Sequence, residues 1–270
     1  MSHKVAGVPK WTLAVNAIRK MTADFDGKIR FGLTMFPDHI TFACGQGAIP
    51  IPVAPDNEAK IQSLLQASLS SSNTNYPSGP CSTNIDAAMD QASSEPAFLD
   101  TSRPGYALLI TDGIQSSDCA AKGGDAGTKQ IITDMRQNQK VGTFVLGFGA
   151  DVDPAQLNAF ADAGGMPSGD PATRYYRVSD AASLEAAFAK IATQTLGCSL
   201  TLGSAPPNPA QMFVYASGSA DPISRDSTHA TGWDYDAASN QITFYGATCD
   251  AFKAGTVKDV HVVFGCNGPS

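Results

Sequence analysis

The sequence lacks the clustered positive charge that nucleic-acid binding needs and the long apolar runs that cross a membrane. Its 18 lysines and arginines are scattered among 25 aspartates and glutamates, which gives a net charge of −7 over 270 residues. The longest apolar stretch, VGTFVLGFGA, has about ten residues, roughly half of what a membrane-spanning helix requires. We therefore expect neither a nucleic-acid partner nor a transmembrane segment.

The sequence also lacks the CxxC and CxxH spacings of a zinc site, although it contains six cysteines. Cysteines far apart along a chain are more typical of disulfides, which form in oxidising compartments. The N-terminal stretch MSHKVAGVPKW has no apolar core of a signal peptide. The cysteines are typical of an exported protein, but the sequence shows no signal peptide. We therefore expect that the start of the protein is missing from this sequence. We expect an extracellular, cell-surface or periplasmic location.

Up to about residue 196, helical and strand patterns alternate. Apolar residues at helical spacing predict a first helix with one inward face, formed by Trp11, Ala14, Ile18, Met21 and Phe25. The stretches KIRFGLTMFP and ITFACG are predicted strands joined by PDH, and a helix capped by Asp56 follows them. Later strands are expected in YALLIT, KVGTFVLGFG and RYYRV, each separated from the next by a helical stretch. This order predicts an α/β fold with a doubly wound, mostly parallel sheet.

From Cys198 onward the pattern changes. CSLTLG, QMFVYASG, GWDYD, QITFYG and VKDVHVVFGC are short apolar stretches without helical period, separated by Gly, Pro, Asp and Ser. We therefore expect two domains, an α/β domain over 1–197 and a small all-β module over 198–270. A module of about 70 residues is near the lower size for independent folding.

The stretch YALLITDG places a carboxylate directly after a buried strand. Tyr106 to Ile110 are apolar, as in a strand covered on both faces of a parallel sheet. Asp112 then lies at the carboxyl edge of that sheet, where open α/β folds bind their ligands. Asp-Gly is also common turn chemistry, so this stretch alone leaves both interpretations open.

Three motifs in order resemble a von Willebrand factor type A domain: CSTNIDAAMD, ALLITDG, and VGTFVLGFGADVDPAQLNAFADAGG. The resemblance covers roughly residues 8 to 196. It implies a metal-ion-dependent adhesion site, in which Thr83 matches the threonine that opens a helix and Asp112 matches the aspartate after a buried strand. It also implies a divalent cation, Mg²⁺ or else Mn²⁺ or Ca²⁺, whose open position takes a carboxylate from a protein ligand. Hydroxyl and carboxylate oxygens suit such hard cations.

The sequence departs from the family in one respect. The Asp-x-Ser-x-Ser motif and the central strand before it are absent, and Ser2 is a poor substitute because no Asp precedes it. Either the chain is truncated at its start or the protein lacks this strand. We favour truncation, because losing a central strand exposes apolar surface and unpaired backbone. The flanking strands must then pair directly or leave a slot, which we expect to be lined by Phe31, Leu33, Leu108 or Ile110. Two ligand positions cannot hold Mg²⁺ alone, so we expect no metal bound by the chain as given.

Other candidate motifs favour structural roles. GFGADV has Val152 where a dinucleotide fingerprint needs its third glycine. GGDAGTK lacks the Gly-Lys-Ser/Thr of a phosphate loop, so Lys129 is expected to be solvated. Asp86 and Asp118 flank the expected site, as a helix-start charge and a loop residue. The four histidines are scattered, and we find no catalytic constellation.

The leading hypothesis is a non-catalytic adhesion or protein-interaction module of a secreted or cell-surface protein. ACGQG, GW and the terminal FGC resemble Cys-containing extracellular type A proteins of bacteria. The alternative is an intracellular accessory subunit that docks a type A domain onto a hydrolase or ATPase. A third interpretation is an α/β enzyme whose site the motifs do not show. Disulfides favour the first hypothesis, and six free thiols favour the second.

The cysteines divide three and three between the two expected domains: Cys44, Cys81 and Cys119, then Cys198, Cys249 and Cys266. If all six are paired, at least one bridge must join the two parts, because three is odd. The other possibility is one bridge and one free thiol in each part. Within the C-terminal part we expect Cys249 to pair with Cys266 or Cys198, since neighbouring strands can meet the separation that a disulfide needs.

Overall fold

The computed structural model describes residues 1, 3–38, 44–77, 83–100, 103–195, 197–216, 218–253, 257 and 260–265. The chain forms two compact units, Met1–Ile191 and Ala192–Ser270, here called the first and the second unit. None of the helices in these ranges is both long and apolar enough to cross a membrane.

Helices and strands alternate up to residue 195, as the sequence predicts. The elements are β1 (Lys4–Val5), β2 (Val8–Pro9), α1 (Lys10–Asp24), β3 (Phe31–Leu33), β4 (Ile51–Ala54), α2 (Glu58–Ala67), α3 (Ile85–Ser93), β5 (Tyr106–Thr111), α4 (Gly124–Asn138), β6 (Gly142–Phe148), α5 (Pro154–Gly164), β7 (Tyr176–Val178) and α6 (Ala181–Thr195). Short 3-10 helices cover Pro96–Leu99 and Ser117–Cys119.

A three-stranded parallel sheet of order β5-β6-β7 forms the centre of the first unit. On β6, side chains from Thr143 to Phe148 are buried on both faces, as expected for a strand between two helical layers. One face of the sheet packs on α3, α4 and α5 through the following residues: Ile85, Met89, Leu109, Ile132, Met135, Val145, Leu157 and Phe160. The other packs on α1 and α6: Ala17, Phe144, Leu146, Phe148, Leu184, Phe188 and Ile191. This layering confirms the predicted doubly wound α/β fold class.

β3 and β4 form a separate antiparallel pair. The sequence predicts ITFACG as the strand next to β3, but Ile51–Ala54 is the partner that the structure shows, and residues 39–43 lie outside the described ranges. In the described part of the chain, β3 and β5 do not pair with each other. Of the two predicted outcomes, direct pairing is therefore excluded for these strands.

Helix starts agree only in part with the prediction. Asp153 caps α5, accepting from the backbone N–H of Ala155 at 2.8 Å, and Pro154 follows it at the first helical position. At α2 the predicted cap is wrong. Asp56 has a positive φ of 58°, and Asn57 occupies the cap position.

The second unit contains two antiparallel sheets, of order β11-β12-β8 and β10-β9-β13. Their strands are β8 (Ser199–Thr201), β9 (Met212–Ala216), β10 (Pro222–Ile223), β11 (Gly232–Asp236), β12 (Gln241–Tyr245) and β13 (Val260–Phe264). Met212, Val214, Trp233, Ile242 and Phe244 form its buried core. The predicted all-β character is incomplete, because Gly246–Lys253 form a helix, α7, which packs Phe252 against this core. Cys198 is bonded to Cys249, as predicted.

Candidate functional site

Asp112 follows β5 at the carboxyl edge of the parallel sheet, as the sequence predicts. The strand end is fixed by the hydroxyl of Thr111, which donates to the carbonyl of Gly113 at 3.0 Å and accepts from its N–H at 3.3 Å. The Asp112 side chain is 17% exposed, and the α-ammonium of Met1 contacts its Oδ2 atom. The carboxylate is thus partly accessible to solvent.

Thr83 lies beside this strand end. Its backbone N–H donates to Ser116 Oγ at 2.8 Å, and its carbonyl accepts from the Ser116 N–H at 2.8 Å. A Cβ atom on Gly113 would lie 3.1 Å from Thr83 Oγ1, so the hydroxyl faces the residue that follows Asp112. The structure therefore brings together the two site residues that the sequence predicts.

Lys10 is a third member of the site, which the sequence analysis missed. Although it begins α1, its side chain is only 5% exposed. Its Nζ atom donates to Asp151 Oδ2 at 2.9 Å and lies 3.7 Å from Asp112 Oδ2. Hydrogen bonds from Lys10 and then from His3 hold the pKa of the Asp151 carboxyl below its usual range. The Lys10 ammonium therefore interacts with two carboxylates, that of Asp112 after β5 and that of Asp151 after β6.

The loop after Asp112 is fastened by Asp86 and Gln115. Asp86 is fully buried, and its Oδ2 accepts from the N–H groups of Lys122 at 2.7 Å and Gly124 at 3.0 Å. The Gln115 amide donates to Asp86 Oδ1 at 3.2 Å and to the Cys119 carbonyl at 2.9 Å. Asp86 thus has the structural role expected of it, since it ties the start of α3 to the loop before α4.

A disulfide between Cys44 and Cys119 joins a second loop to this region, with Cα atoms 4.9 Å apart. Next to it is a pocket of about 320 Å³ whose lining comes from the loop at Cys44, from α3 and from residues 121 and 122. Lys122 and Asp90 form an ion pair of 2.8 Å in its wall. Both loops that flank the site are therefore covalently linked.

Ile114 is the exposed apolar side chain of the loop after Asp112, with 51% of its surface open to solvent. Its neighbour Gln115 is held by the hydrogen bonds described above, and its neighbour Gly113 is held by Thr111. The Ile114 side chain is therefore exposed to solvent on a loop that hydrogen bonds hold in place.

The other candidates have the structural roles that the sequence favours. Gly149 and Asp151 lie in the turn that follows β6, where Gly149 has a φ of 92°, and Val152 is buried. Lys129 and Asp118 are exposed. His39 lies outside the described residues.

The residues of this site do not by themselves fit a divalent cation. Thr83 and Asp112 offer oxygens of the right kind, but an octahedral Mg²⁺ site needs six ligands. One Asp112 oxygen, Oδ2, lies 3.7 Å from the Lys10 ammonium, whose positive charge opposes a cation there. Within the described ranges, no group of three or more His, Cys, Asp and Glu side chains is arranged to hold a metal ion.

Comparison with known proteins yields similarities to solved structures. No protein-family model and no curated protein matches the chain. A solved structure described as "von Willebrand factor type A from Catenulispora acidiphila" matches with 15% identity and a TM-score of 0.42, over 87% of this chain. The chain spans about half the length of that protein, 49%. By its own topology, the first unit has an α/β fold with a parallel sheet between two helical layers.

Proposed function

We propose that the first unit is a non-catalytic adhesion or protein-interaction module, which binds an acidic group of a protein partner through a divalent cation when the site at the carboxyl edge of its sheet is complete. The observation that supports the proposal is the position of Thr83 beside the end of β5, next to Asp112, on segments that hydrogen bonds hold in place. Loops that are ordered before binding lose little conformational entropy when a partner arrives.

Ile114 gives this surface an apolar contact next to its charged groups. A lone exposed apolar residue is ordinary on a protein surface, but this one lies two residues after Asp112 on a fixed loop. Interfaces combine apolar contacts with polar groups at their rim. We therefore include Ile114 in the proposed contact surface.

The disulfides support an extracellular, cell-surface or periplasmic form of this module. Cys44–Cys119 and Cys198–Cys249 are both bonded in the described part of the chain, and such bonds persist in oxidising compartments. The intracellular alternative, an accessory subunit of a hydrolase or ATPase, would keep these thiols reduced. The disulfides thus favour the adhesion hypothesis over the accessory one.

The resemblance to type A domains adds a finer proposal, which concerns only a chain that carries an Asp-x-Ser-x-Ser segment. In that chain a divalent cation would be the contact for the partner's carboxylate, and Thr83 and Asp112 would be two of its ligands. Residues 1–270 alone should show no Mg²⁺ binding at millimolar concentration in titration calorimetry. Micromolar affinity in this chain would contradict the proposal.

The interaction itself is tested by affinity capture from the cell-surface fraction of the source organism, followed by binding measurements with the captured protein. In a chain that carries the Asp-x-Ser-x-Ser segment, Asp112→Ala should abolish Mg²⁺-dependent binding, and Thr83→Ala should weaken it less, because it removes a neutral group. Ile114→Ser should also weaken binding in that chain. Leu99→Ser is the matched control, since Leu99 is 74% exposed on the 3-10 helix Pro96–Leu99. Equal Mg²⁺-dependent binding by that chain with and without Asp112→Ala would overturn the proposed site.

A further inference from the structure

Lys10 has a position that is unusual for a lysine. Lysines are almost never buried unless they are paired, and the Lys10 side chain is 5% exposed. An ammonium taken out of water loses its hydration, and nearby carboxylates must compensate for that loss. Asp151 at 2.9 Å and Asp112 at 3.7 Å are the carboxylates that do so.

The backbone at the end of β6 makes room for this ammonium. Gly149 has a φ of 92°, and a Cβ atom on it would lie 2.6 Å from Lys10 Nζ and 2.8 Å from Lys10 Cε. No L side chain fits there without displacing the lysine. The space is thus shaped for the end of the Lys10 side chain, independently of the two carboxylates.

We propose that the Lys10 ammonium is a built-in counter-ion shared by Asp112 and Asp151, in the role a divalent cation would otherwise have at this edge of the sheet. The positive charge comes from a side chain, so it offsets part of the repulsion between the two carboxylates without metal. Lys10 is a positioning residue, because its buried ammonium contacts the two carboxylates and not a partner.

The consequence is that removing the charge of Lys10 should create a cation site. Lys10→Gln removes the ammonium that Asp112 and Asp151 share. Lys10→Glu adds a third carboxylate, which hard cations prefer. Removing a unit positive charge about 4 Å from a bound cation should raise the cation affinity at least about fivefold, which corresponds to roughly 1 kcal/mol in water.

Mn²⁺ alone is the probe, and its binding to the full chain is measured at pH 7 by the electron paramagnetic resonance signal of the free ion. We expect no binding to the native chain at millimolar Mn²⁺, a gain of affinity in Lys10→Gln and a larger gain in Lys10→Glu. Lys10→Arg keeps the charge and should show no gain. Lys28→Glu makes the same charge reversal at an exposed lysine and should show none either.

Asp112→Asn in the Lys10→Glu background should remove the gained Mn²⁺ binding. The inference is overturned if folded Lys10→Gln and Lys10→Glu chains, checked by circular dichroism, bind Mn²⁺ no better than the native chain. It is also overturned if the native chain binds Mn²⁺ through Asp112 and Lys10→Gln leaves this binding unchanged.

A second measurement on the native chain does not depend on the folding of Lys10 variants. Reductive methylation followed by peptide mass spectrometry should modify Lys10 at least about tenfold more slowly than Lys28, because its ammonium is buried and paired. Asp151→Asn should reduce this protection, since Asp151 is 55% exposed and not needed to fill the core. Equal rates for Lys10 and Lys28 would contradict the inference. None of these tests needs a partner, so their outcome is independent of the proposed function.

Discussion

The carboxylate of Asp86 is fully buried, and its hydrogen-bond partners explain why this burial is tolerated. Its two oxygens accept from the N–H groups of Ala87, Lys122 and Gly124 and from the Gln115 amide. A buried carboxylate that accepts several N–H groups has its hydrogen-bonding capacity satisfied. The three bonds from Gln115, Lys122 and Gly124 hold the loop after Asp112 against the start of α3.

Asp86→Asn should therefore destabilise the first unit. The substituted amide keeps the shape but offers N–H groups to N–H donors, so buried hydrogen bonds to a charged group are lost, at about 1.5 to 3 kcal/mol each. We expect a loss of about 3 kcal/mol in the free energy of unfolding, measured by urea denaturation. Asp118→Asn, at an exposed position, is the control and should have little effect. A midpoint unchanged by Asp86→Asn would show that the loop is held by other means.

At the residue scale, the sequence predicts Asp112 from its position after a buried strand and Thr83 only through the resemblance to type A domains. It does not identify Lys10, since a lysine at a helix start is typical of a solvated position and nothing local indicates its burial. Its surroundings come from the end of β6, about 140 residues later in the chain. A contact of this range depends on tertiary packing that periodicity does not reveal.

Among the elements, β5 differs from β6 although both strands are equally apolar in sequence. Tyr106, Leu108 and Ile110 remain partly exposed, while Phe144 and Leu146 are fully buried. The reason is that β6 pairs on both edges and β5 pairs with β6 alone in the described part of the chain. An apolar strand with an open edge is a site for dyes and for self-association.

The isolated chain should accordingly enhance the fluorescence of anilinonaphthalene sulfonate and be poorly soluble. Leu99→Ser should leave the dye signal unchanged, because a lone exposed leucine does not form an apolar site. Absence of enhancement in the native chain, or its loss in Leu99→Ser, would be inconsistent with an open β5 edge.

In the second unit, the loop before β11 is organised by Asp226. Its carboxylate accepts from the hydroxyl and N–H of Thr228 at 2.6 and 2.8 Å, and from the N–H groups of Ala230 and Thr231 at 3.1 Å. These bonds, that of the Thr228 hydroxyl first, lower the pKa of Asp226 to about 2. The unfolded value is about 3.9, so the contribution to stability is present above pH 4 and lost as the pH falls towards 2.

Asp226→Asn should therefore lower the melting temperature of the second unit at pH 5, and the difference from the native chain should shrink between pH 4 and pH 2. Thermal unfolding at several pH values measures it. Asp221→Asn, at another exposed position of the same unit, corrects for the general effect of losing a charge. A difference that is the same at pH 5 and pH 2 would refute the assignment.

At the element scale, the sequence predicts long periodic segments well and short ones poorly. The elements α4, α5 and β6 lie where periodicity places them. The partner of β3 and the helix α7 do not, since a four-residue strand such as IPVA and an eight-residue helix such as GATCDAFK have too few turns or alternations to define a period. Their conformation is decided by what they pack against.

At the scale of the whole molecule, the disulfides leave one question, which is whether Cys81 and Cys266 are bonded to each other or free. Cys44–Cys119 and Cys198–Cys249 each close a bridge within one unit, and Cys81 and Cys266 lie outside the described residues. Peptide mapping without reduction should find these two bridges and either a third between Cys81 and Cys266 or a free thiol at both. Three free thiols would contradict the expected number of bridges. A bridge from Cys44 to Cys81 would contradict the pairing of Cys44 with Cys119.

The full burial of β6 also determines how the first unit exchanges its amide hydrogens with heavy water. Around Leu146 and Gly147 the strand is paired on both edges and covered on both faces, so the amides there exchange only when the whole unit unfolds. The amides of β5 that face away from β6 exchange through small local motions. A single hydrogen-exchange experiment therefore measures two different equilibria on adjacent strands. The β6 amides report global unfolding, and the β5 amides report local opening.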